Sequence, residues 1–334
     1  MLFSRNEFRE KVFSRDNNMC VICKKPAQDA HHIIERRLFD DGGYYLDNGA
    51  SLCGEHHIQA ETTVLSCDEI RSAANIRHVI LPSHLYPDER YDKWGNQILS
   101  NGLRMKGELF FDESVQKIIQ PVLDSFQKYV KYPRTYHLPW SPGATKDDRI
   151  LKEDSLFLDK NVVVTLKMDG ENTTMYNDKV YARSIDGISD DTKHWIKNFH
   201  QKIAWEIPEG WRLCGENLHI KHSIKYDDLE SYFLLFSMWD EKNRCLSWKD
   251  TLEYASVLGL KFVKPIYVGK YDRKLIEKSF EEYIKRHEGY VIRLADGFNY
   301  RDFRTSVGKY VRKDHVQSTH HWRREIKELN NLEI

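Results

Sequence analysis

Two short knuckles, Cys20-x-x-Cys23 and Cys53-x-x-His56, constrain the start of this chain more than any other feature of its sequence. Four ligands paired in this way match a closed tetrahedral zinc site. Such a site staples a segment too small to hold its own core. Cys67, Cys214 and Cys245 are scattered, and are expected to serve as small buried hydrophobes. The opening stretch MLFSRNEFRE lacks the apolar core of a signal peptide, and no apolar run is long enough to span a bilayer. The expectation is therefore a cytoplasmic protein, where clustered cysteines and histidines favour a metal over disulfides.

A length of 334 residues suggests two or three domains. Hydrophobic residues at 40% and charged residues at 31% are enough for cores and exclude a disordered chain. Formal net charge is zero, so any surface that meets phosphate must be a local one.

Residues 4–15 read as an amphipathic helix with Phe8, Val12 and Phe13 on one side. Ser66, with Glu69 three residues later, reads as a capping box opening a helix through Ile76. Residues 77–110 give no clear pattern. Residues 113–130 have helical periodicity, interrupted by Pro121. A boundary is expected near 131–150, where proline and aromatics cluster. Beyond it, β-rich runs at 162–166, 180–183, 211–214, 233–239, 262–268, 290–294 and 307–312 alternate with helical stretches near 191–205, 248–258 and 272–286. The tail, 314–334, reads as a polar helix. The pattern predicts an α+β protein with three parts: a small zinc domain over 1–66, a mainly helical linker over 67–132, and a larger domain over 133–334.

Within the larger part, Lys167-Met168-Asp169-Gly170-Glu171-Asn172 directly follows the apolar run Val162-Val163-Val164. A lysine is thereby placed at the end of a buried strand, before a glycine turn. To attack a phosphate it must be neutral, and with a reference pKa of about 10.4 only about one in a thousand is neutral near pH 7.5. Burial and neighbouring cations are expected to depress that value. The glycine is expected to let the backbone approach a nucleotide. An ordered set follows: Tyr181-Ala182-Arg183-Ser184, Cys214-Gly215-Glu216-Asn217, Phe233 to Ser237, Glu288-Gly289-Tyr290-Val291-Ile292-Arg293, and Lys309-Tyr310-Val311-Arg312-Lys313.

This collinear set resembles the motifs of covalent nucleotidyltransferases, the polynucleotide ligases and mRNA capping enzymes, over roughly residues 133–320. The asparagine at 172, the run His222-Ser223-Ile224-Lys225-Tyr226 and the lead-in His137-Leu138-Pro139-Trp140 to Asp147-Asp148-Arg149 resemble the ATP-dependent RNA ligase branch. The resemblance implies a ligase-type nucleotidyltransferase domain of antiparallel sheets flanked by helices. It implies ATP, magnesium or manganese, and AMP carried covalently on Lys167 beside Leu166. By the same resemblance Glu216 would hold the ribose and Phe236 would stack on adenine. Glu288 would bind the catalytic metal, and Arg183 and Asn172 would meet phosphate or the terminal nucleotide. Lys309 would contact the α-phosphate, with Arg312 or Lys313 as a further cation. Trp140 and His222 are left between site and packing.

Around the knuckles lie Ala30-His31-His32-Ile33, Asn48 and His57. This order resembles the HNH nuclease motif on a ββα-metal fold, over roughly residues 8–62. The resemblance implies His32 as general base, Asn48 orienting it, and His31 with His57 on a divalent metal. The basic pair Arg36-Arg37 could meet phosphate. The expected partner is nucleic acid: nicked or broken RNA, an RNA/DNA hybrid or DNA. No membrane and no obligate protein partner are expected, and the setting would be a bacterial or phage-infected cell. The alternatives are a DNA or hybrid nick-sealing ligase, an HNH endonuclease with an inactive ligase half, or a non-catalytic nucleic-acid-binding protein.

Overall fold

The computed structural model describes residues 1–146, 148–182, 194–313 and 328–333. Two compact units emerge, Met1–Val130 and Lys131–Ile334. The division falls at the start of the proline- and aromatic-rich stretch.

In the first unit, α1 (Arg5–Arg15) is closed at its N-terminus by a reciprocal capping box between Ser4 and Glu7. Its buried Phe8 and Val12 are spaced one helical turn apart, so they form one face. An antiparallel pair, β1 (Asp29–His32) and β2 (Gly49–Leu52), lies beside it. The helix α2 (Gly54–Glu61) follows β2 directly, completing a ββα arrangement. Helix α3 (Cys67–Ala73) starts at the expected Ser66–Glu69 capping box. Helix α4 (Glu113–Ile119) is capped by Asp112 and gives way to a 3₁₀ turn over Gln120–Ser125. Pro121 supplies no N–H to continue the α-helical ladder, which is why the break falls there.

The expectation of a separate helical linker over 67–132 is corrected. Tyr91, Trp94, Leu109, Phe110, Val115 and Ile119 share one core with Cys20, Ile33, Ile34, Leu38 and Leu52. Between α3 and α4 the chain forms a small three-stranded sheet, β3 (Arg90–Tyr91), β4 (Gln97–Ile98) and β5 (Arg104–Met105). Its first turn is built on Asp92, a buried carboxylate that accepts from the backbone N–H of Trp94 (2.9 Å) and of Asn96 (3.0 Å). Strands this short carry no readable alternation.

The second unit contains two sheets. One has the order β13 (Pro265–Lys270), β7 (Asn161–Lys167), β14 (Gly289–Leu294), β16 (Val307–Val311), β6 (Tyr136–His137). The other has the order β15 (Phe298–Asn299), β12 (Arg244–Cys245), β11 (Phe233–Trp239), β10 (Arg212–Asn217), β8 (Glu171–Met175), β9 (Val180–Ala182). Every pairing is antiparallel except that of β16 with β6. Ile276 and Phe280 of α7 (Arg273–Phe280) pack with Val162, Val164, Tyr290 and Ile292. Ile196 and Ile203 of α5 (His194–Ile203) and Ala255 of α6 (Trp248–Val257) pack with Met175, Leu213 and Leu235. Each sheet thus has one face covered by helix, which leaves the other available to a site. The mixed α+β class is as expected. Strand β8 carried no apolar signal in the sequence, the 262–268 run is shifted to Pro265–Lys270, and α7 ends at Phe280 rather than 286. The expected tail helix lies mostly outside the described residues. Among the described residues no helix is long and apolar enough to cross a membrane.

Candidate active site

Position and alternation along β7 decide which residues reach the cleft. Val162, Val163, Val164 and Leu166 are all buried in the core, and only the end of the strand, Thr165, Leu166 and Lys167, reaches the cleft, with Thr165 and Lys167 on the same face. Register carries that face across the sheet, since Val291 of β14 lies between Thr165 of β7 and Lys309 of β16. On the second sheet Asn172 of β8 is directly opposite Glu216 of β10. These residues, with Leu166 and Phe236, line a cleft of about 370 Å³. Its deeper wall is apolar, formed by Phe236, Val263, Val291, Phe298 and Phe303. Phe236 is half-buried and meets Tyr132 edge-on with centroids 5.2 Å apart. Among the described residues the buried side-chain oxygen of Asn172 has no hydrogen-bond partner, an acceptor position a ligand could satisfy.

The ammonium of Lys167 forms an ion pair with Glu288, itself buried at the head of β14. Burial pulls the lysine pKa down, but Glu288 and then Glu216 outweigh it and hold it above the ordinary value. The expected depression by neighbouring cations is therefore corrected: the charged neighbours that act on Lys167 are the carboxylates of Glu288, Glu216 and Asp169. Glu216 is pushed up to about 8 by burial, against the pull of Lys167 and with the repulsion of Glu288 and Asp169 behind it. Glu288 and Glu216 thus stand together beside Lys167. Carboxylate oxygens are the ligands that magnesium or manganese takes, so the residues present fit such an ion, with Glu288 as the candidate ligand.

The turn after Lys167 is fixed from outside the sheet. Asp169 accepts from the backbone N–H of Ser223 (2.7 Å) and Ile224 (2.8 Å), and its own N–H donates to the Tyr226 hydroxyl (3.0 Å). Two stretches singled out in the sequence, 167–172 and 222–226, are thus parts of one clamp. Gly170 has a reason different from the expected one. A Cβ there would sit 2.6 Å from the carbonyl oxygen of Asn217, a rigid backbone neighbour. Gly170→Ala is therefore expected to displace the turn, cost about 1–3 kcal/mol in thermal unfolding and slow any reaction of Lys167 at least about tenfold. Unchanged stability and rate would show that the turn can give.

Lys309 lies 3.9 Å from Asp148, which also lies 3.5 Å from the buried His137. His137 is pushed down to about 4 by burial and then by Lys309, and is neutral near pH 7. The structure places neither Arg312 nor Lys313 on the cleft wall. Strand β16 ends at Val311, so the position two beyond Lys309 is apolar and buried. The Arg312 guanidinium donates to the His287 carbonyl (3.0 Å), and Lys313 is exposed. His222 lines the cleft. Trp140 packs instead, donating to the Tyr290 hydroxyl (3.0 Å) beneath the Arg273 guanidinium, 4.0 Å from its ring centroid. Arg183 lies outside the described residues.

Residues 160–311 match the RNA ligase family. A comparison with curated proteins gives no match. Among solved structures, an Aquifex aeolicus protein assigned as an ATP-dependent DNA ligase is 15% identical, covering 55% of this chain and 50% of that one at a TM-score of 0.39. An archaeal ATP-dependent RNA ligase is 14% identical, covering 55% and 48% at a TM-score of 0.38. A Naegleria gruberi RNA ligase variant with ATP and Mn is 18% identical, covering 48% and 52% at a TM-score of 0.34. The chain spans about half the length of each of these structures.

Outside the matched region, the first unit brings together all four knuckle residues. Cys20 Sγ lies 3.7 Å from His56 Nδ1, Cys23 Sγ 3.7 Å from Cys53 Sγ, and Cys53 Sγ 3.2 Å from His56 Nδ1. A tetrahedron with metal–sulfur bonds of about 2.3 Å separates its sulfurs by about 3.7–3.8 Å. The donor set therefore fits the ion that the spacing implied.

A second cluster joins His31, His57 and Glu61. Glu61 Oε1 lies 3.4 Å from His31 Nδ1, 3.3 Å from His57 Nε2 and 3.1 Å from Lys93 Nζ. Burial opposes its charge, yet the two histidines and Lys93 hold Glu61 below the ordinary carboxylate range. His32 lines the same pocket of about 300 Å³, its ring stacked on Phe8 with centroids 4.4 Å apart. Burial and then Lys93 push it down to about 4, so it is neutral near pH 7. The Asn48 side chain does not meet the His32 ring: it accepts from Ile34 N–H (2.9 Å) and donates to the Ile34 (3.0 Å) and Gly43 (3.1 Å) carbonyls, fixing the chain just beyond β1. Arg36 lines the pocket, whereas Arg37 is paired with Glu35 (3.2 Å) and Asp112 (3.0 Å). Sequence reasoning missed Glu61 and Lys93. Glu61 had a signal, one helical turn after His57, but Lys93 comes from the unread stretch and had none.

Proposed function

We propose that this chain is an ATP-dependent polynucleotide ligase of the RNA ligase type. The observation that carries the reading is the convergence of Lys167, Glu216, Asn172, Phe236 and Lys309 on one cleft, with Glu288 paired to Lys167, within the segment that matches RNA ligases. Lys167 Nζ, once deprotonated, attacks the α-phosphorus of ATP. A P–N bond forms, the bond to the β-phosphate oxygen breaks, and pyrophosphate leaves. The AMP then passes to a 5′-phosphate end, and a 3′-hydroxyl displaces it to close the phosphodiester. Phe236 offers a face for adenine, Glu216 an acceptor for the ribose, and Lys309 a cation for the α-phosphate. Glu288 would hold magnesium or manganese, which supplies positive charge to the phosphates.

The four knuckle residues would hold zinc as a structural staple. The His31–His57–Glu61 cluster would hold a divalent ion, and the first unit would bind or cleave nucleic acid with His32 as general base. Its support is a polar pocket holding one neutral histidine beside three candidate ligands. His32→Ala is expected to lower metal-dependent cleavage of nucleic acid by about 10²–10⁴-fold while labelling by ATP persists. Equal cleavage by the variant would exclude His32 as the base.

The ligase reading is tested by stripping bound AMP with pyrophosphate, then supplying α-labelled ATP and magnesium. Label on the chain is expected. Sealing of nicked RNA, DNA and mixed duplexes then compares the substrates, with RNA 3′-hydroxyl ends expected to be joined fastest. No label would sink the ligase reading, and faster sealing of all-DNA nicks would move it to the DNA alternative.

A further inference from the structure

Residues 328–333 lie along the excursion between β10 and β11, with Leu329 bridged to Ile220 and Leu332 to Leu229. Among the described residues five backbone N–H groups bond across the contact: Lys221 to the Glu328 carbonyl, Asn330 to that of His219, Leu229 to that of Asn331, Asn331 to that of Tyr226, and Glu333 to that of Leu229. The excursion has no regular structure, so its backbone groups need such partners. Glu328 adds ion pairs with Lys221 (2.5 Å) and Lys225 (3.3 Å).

Asn330 is the buried centre of this contact, with no exposed surface. Its side chain accepts from Tyr226 N–H (2.9 Å) and donates to the Leu218 carbonyl (2.7 Å). Tyr226 is the residue whose hydroxyl accepts from Asp169 N–H, and the same excursion supplies the two N–H groups that hold the Asp169 carboxylate. Asp169 stands two residues beyond Lys167. An unbroken series of short hydrogen bonds therefore runs from the C-terminal segment to the turn that aims the lysine.

We propose that Asn330 is a positioning residue for adenylyl transfer, and that residues 328–333 are a strap bracing the loop that holds the Lys167 turn. This rests on the ligase reading above. The physical reason is that Asn330 satisfies one amide and one carbonyl of a buried loop at once. Without it Tyr226 and Ser223–Ile224 lose their fixed place, and the Lys167 turn loses its clamp. A displacement of about 1 Å at a reacting atom can cost about a hundredfold in rate.

The test uses the full-length chain, stripped of AMP, in single-turnover labelling over a range of ATP concentrations. Asn330→Ala is expected to lower the limiting rate by about ten- to a hundredfold at full final labelling, with the half-saturating ATP concentration changed less than about threefold. A purely structural role would lower the labelled fraction and leave the rate of the folded molecules unchanged. Asn330→Asp keeps the acceptor for Tyr226 N–H and is expected to recover part of the rate. Tyr226→Phe removes the hydroxyl facing Asp169 while leaving the strap in place, and is expected to show the same fall in rate, which keeps the test decisive if Asn330→Ala fails to fold. Rates within twofold of the parent for both Asn330→Ala and Tyr226→Phe, or a loss confined to the labelled fraction, would overturn the positioning role alone. No labelling of the parent chain would overturn the ligase reading, and the positioning role with it.

Discussion

Lys167→Ala will leave the chain unlabelled by α-labelled ATP, a loss of more than about 10⁴-fold, the scale on which an enzyme loses its nucleophile. Lys167→Arg will fail equally. A guanidinium keeps its proton at any working pH and has no lone pair to offer phosphorus. Thermal unfolding of both variants distinguishes lost chemistry from lost fold, because removing the ammonium leaves Glu288 buried without this partner. If Lys167→Ala still takes up label at the parental rate, the nucleophile lies elsewhere. The β7 lysine would then be a strand-end cation and no more. The geometry adds a requirement: Lys167 is held charged by Glu288 and Glu216, so its reaction requires that those carboxylates be answered by another cation.

With the four knuckle residues holding zinc as proposed, removal of that metal is expected to unfold the first unit. Structural zinc contributes an apparent 10–16 kcal/mol or so to small domains, against a typical domain stability of about 5–15 kcal/mol. A strong chelator is therefore expected to abolish the thermal transition of Met1–Val130, and added zinc to restore it. Cys53→Ala is expected to mimic the chelator, since Cys53 lies within 3.7 Å of both Cys23 and His56. The second unit has its own cores and should keep its own transition. A first-unit transition that neither chelator nor Cys53→Ala moves, in protein carrying no stoichiometric zinc, would show that its shared core is sufficient without the staple.

Much of the candidate site was legible because its chemistry is local in sequence. A lysine ending an apolar run, two glutamates at strand ends and two ligand knuckles are each determined by spacing along a strand or turn. The helix starts at Ser4 and Ser66 were readable for the same reason, since a capping box spans only three residues. Strand β8, Glu171–Met175, was not, because its outer residues are polar and its place is set by register with β10. The sheet over 90–105 was not, because a buried Asp92 and its hydrogen bonds replace an apolar pattern. The charge state of Lys167 was misjudged for a related reason: a pKa is decided by the neighbours that folding supplies, here Glu288 and Glu216.

By itself, then, the sequence determined the candidate nucleophile Lys167, the four-residue Cys/His knuckles and the α+β class, because each is written in residue type and short-range periodicity. Only tertiary structure decided that Gly170 is required by the Asn217 carbonyl, that Lys93 reaches the Glu61 cluster, that Arg312 turns away from the cleft, and that Asn330 closes on Tyr226. Those contacts join residues far apart along the chain. Their partners are chosen by sheet register and loop packing, which local spacing does not encode.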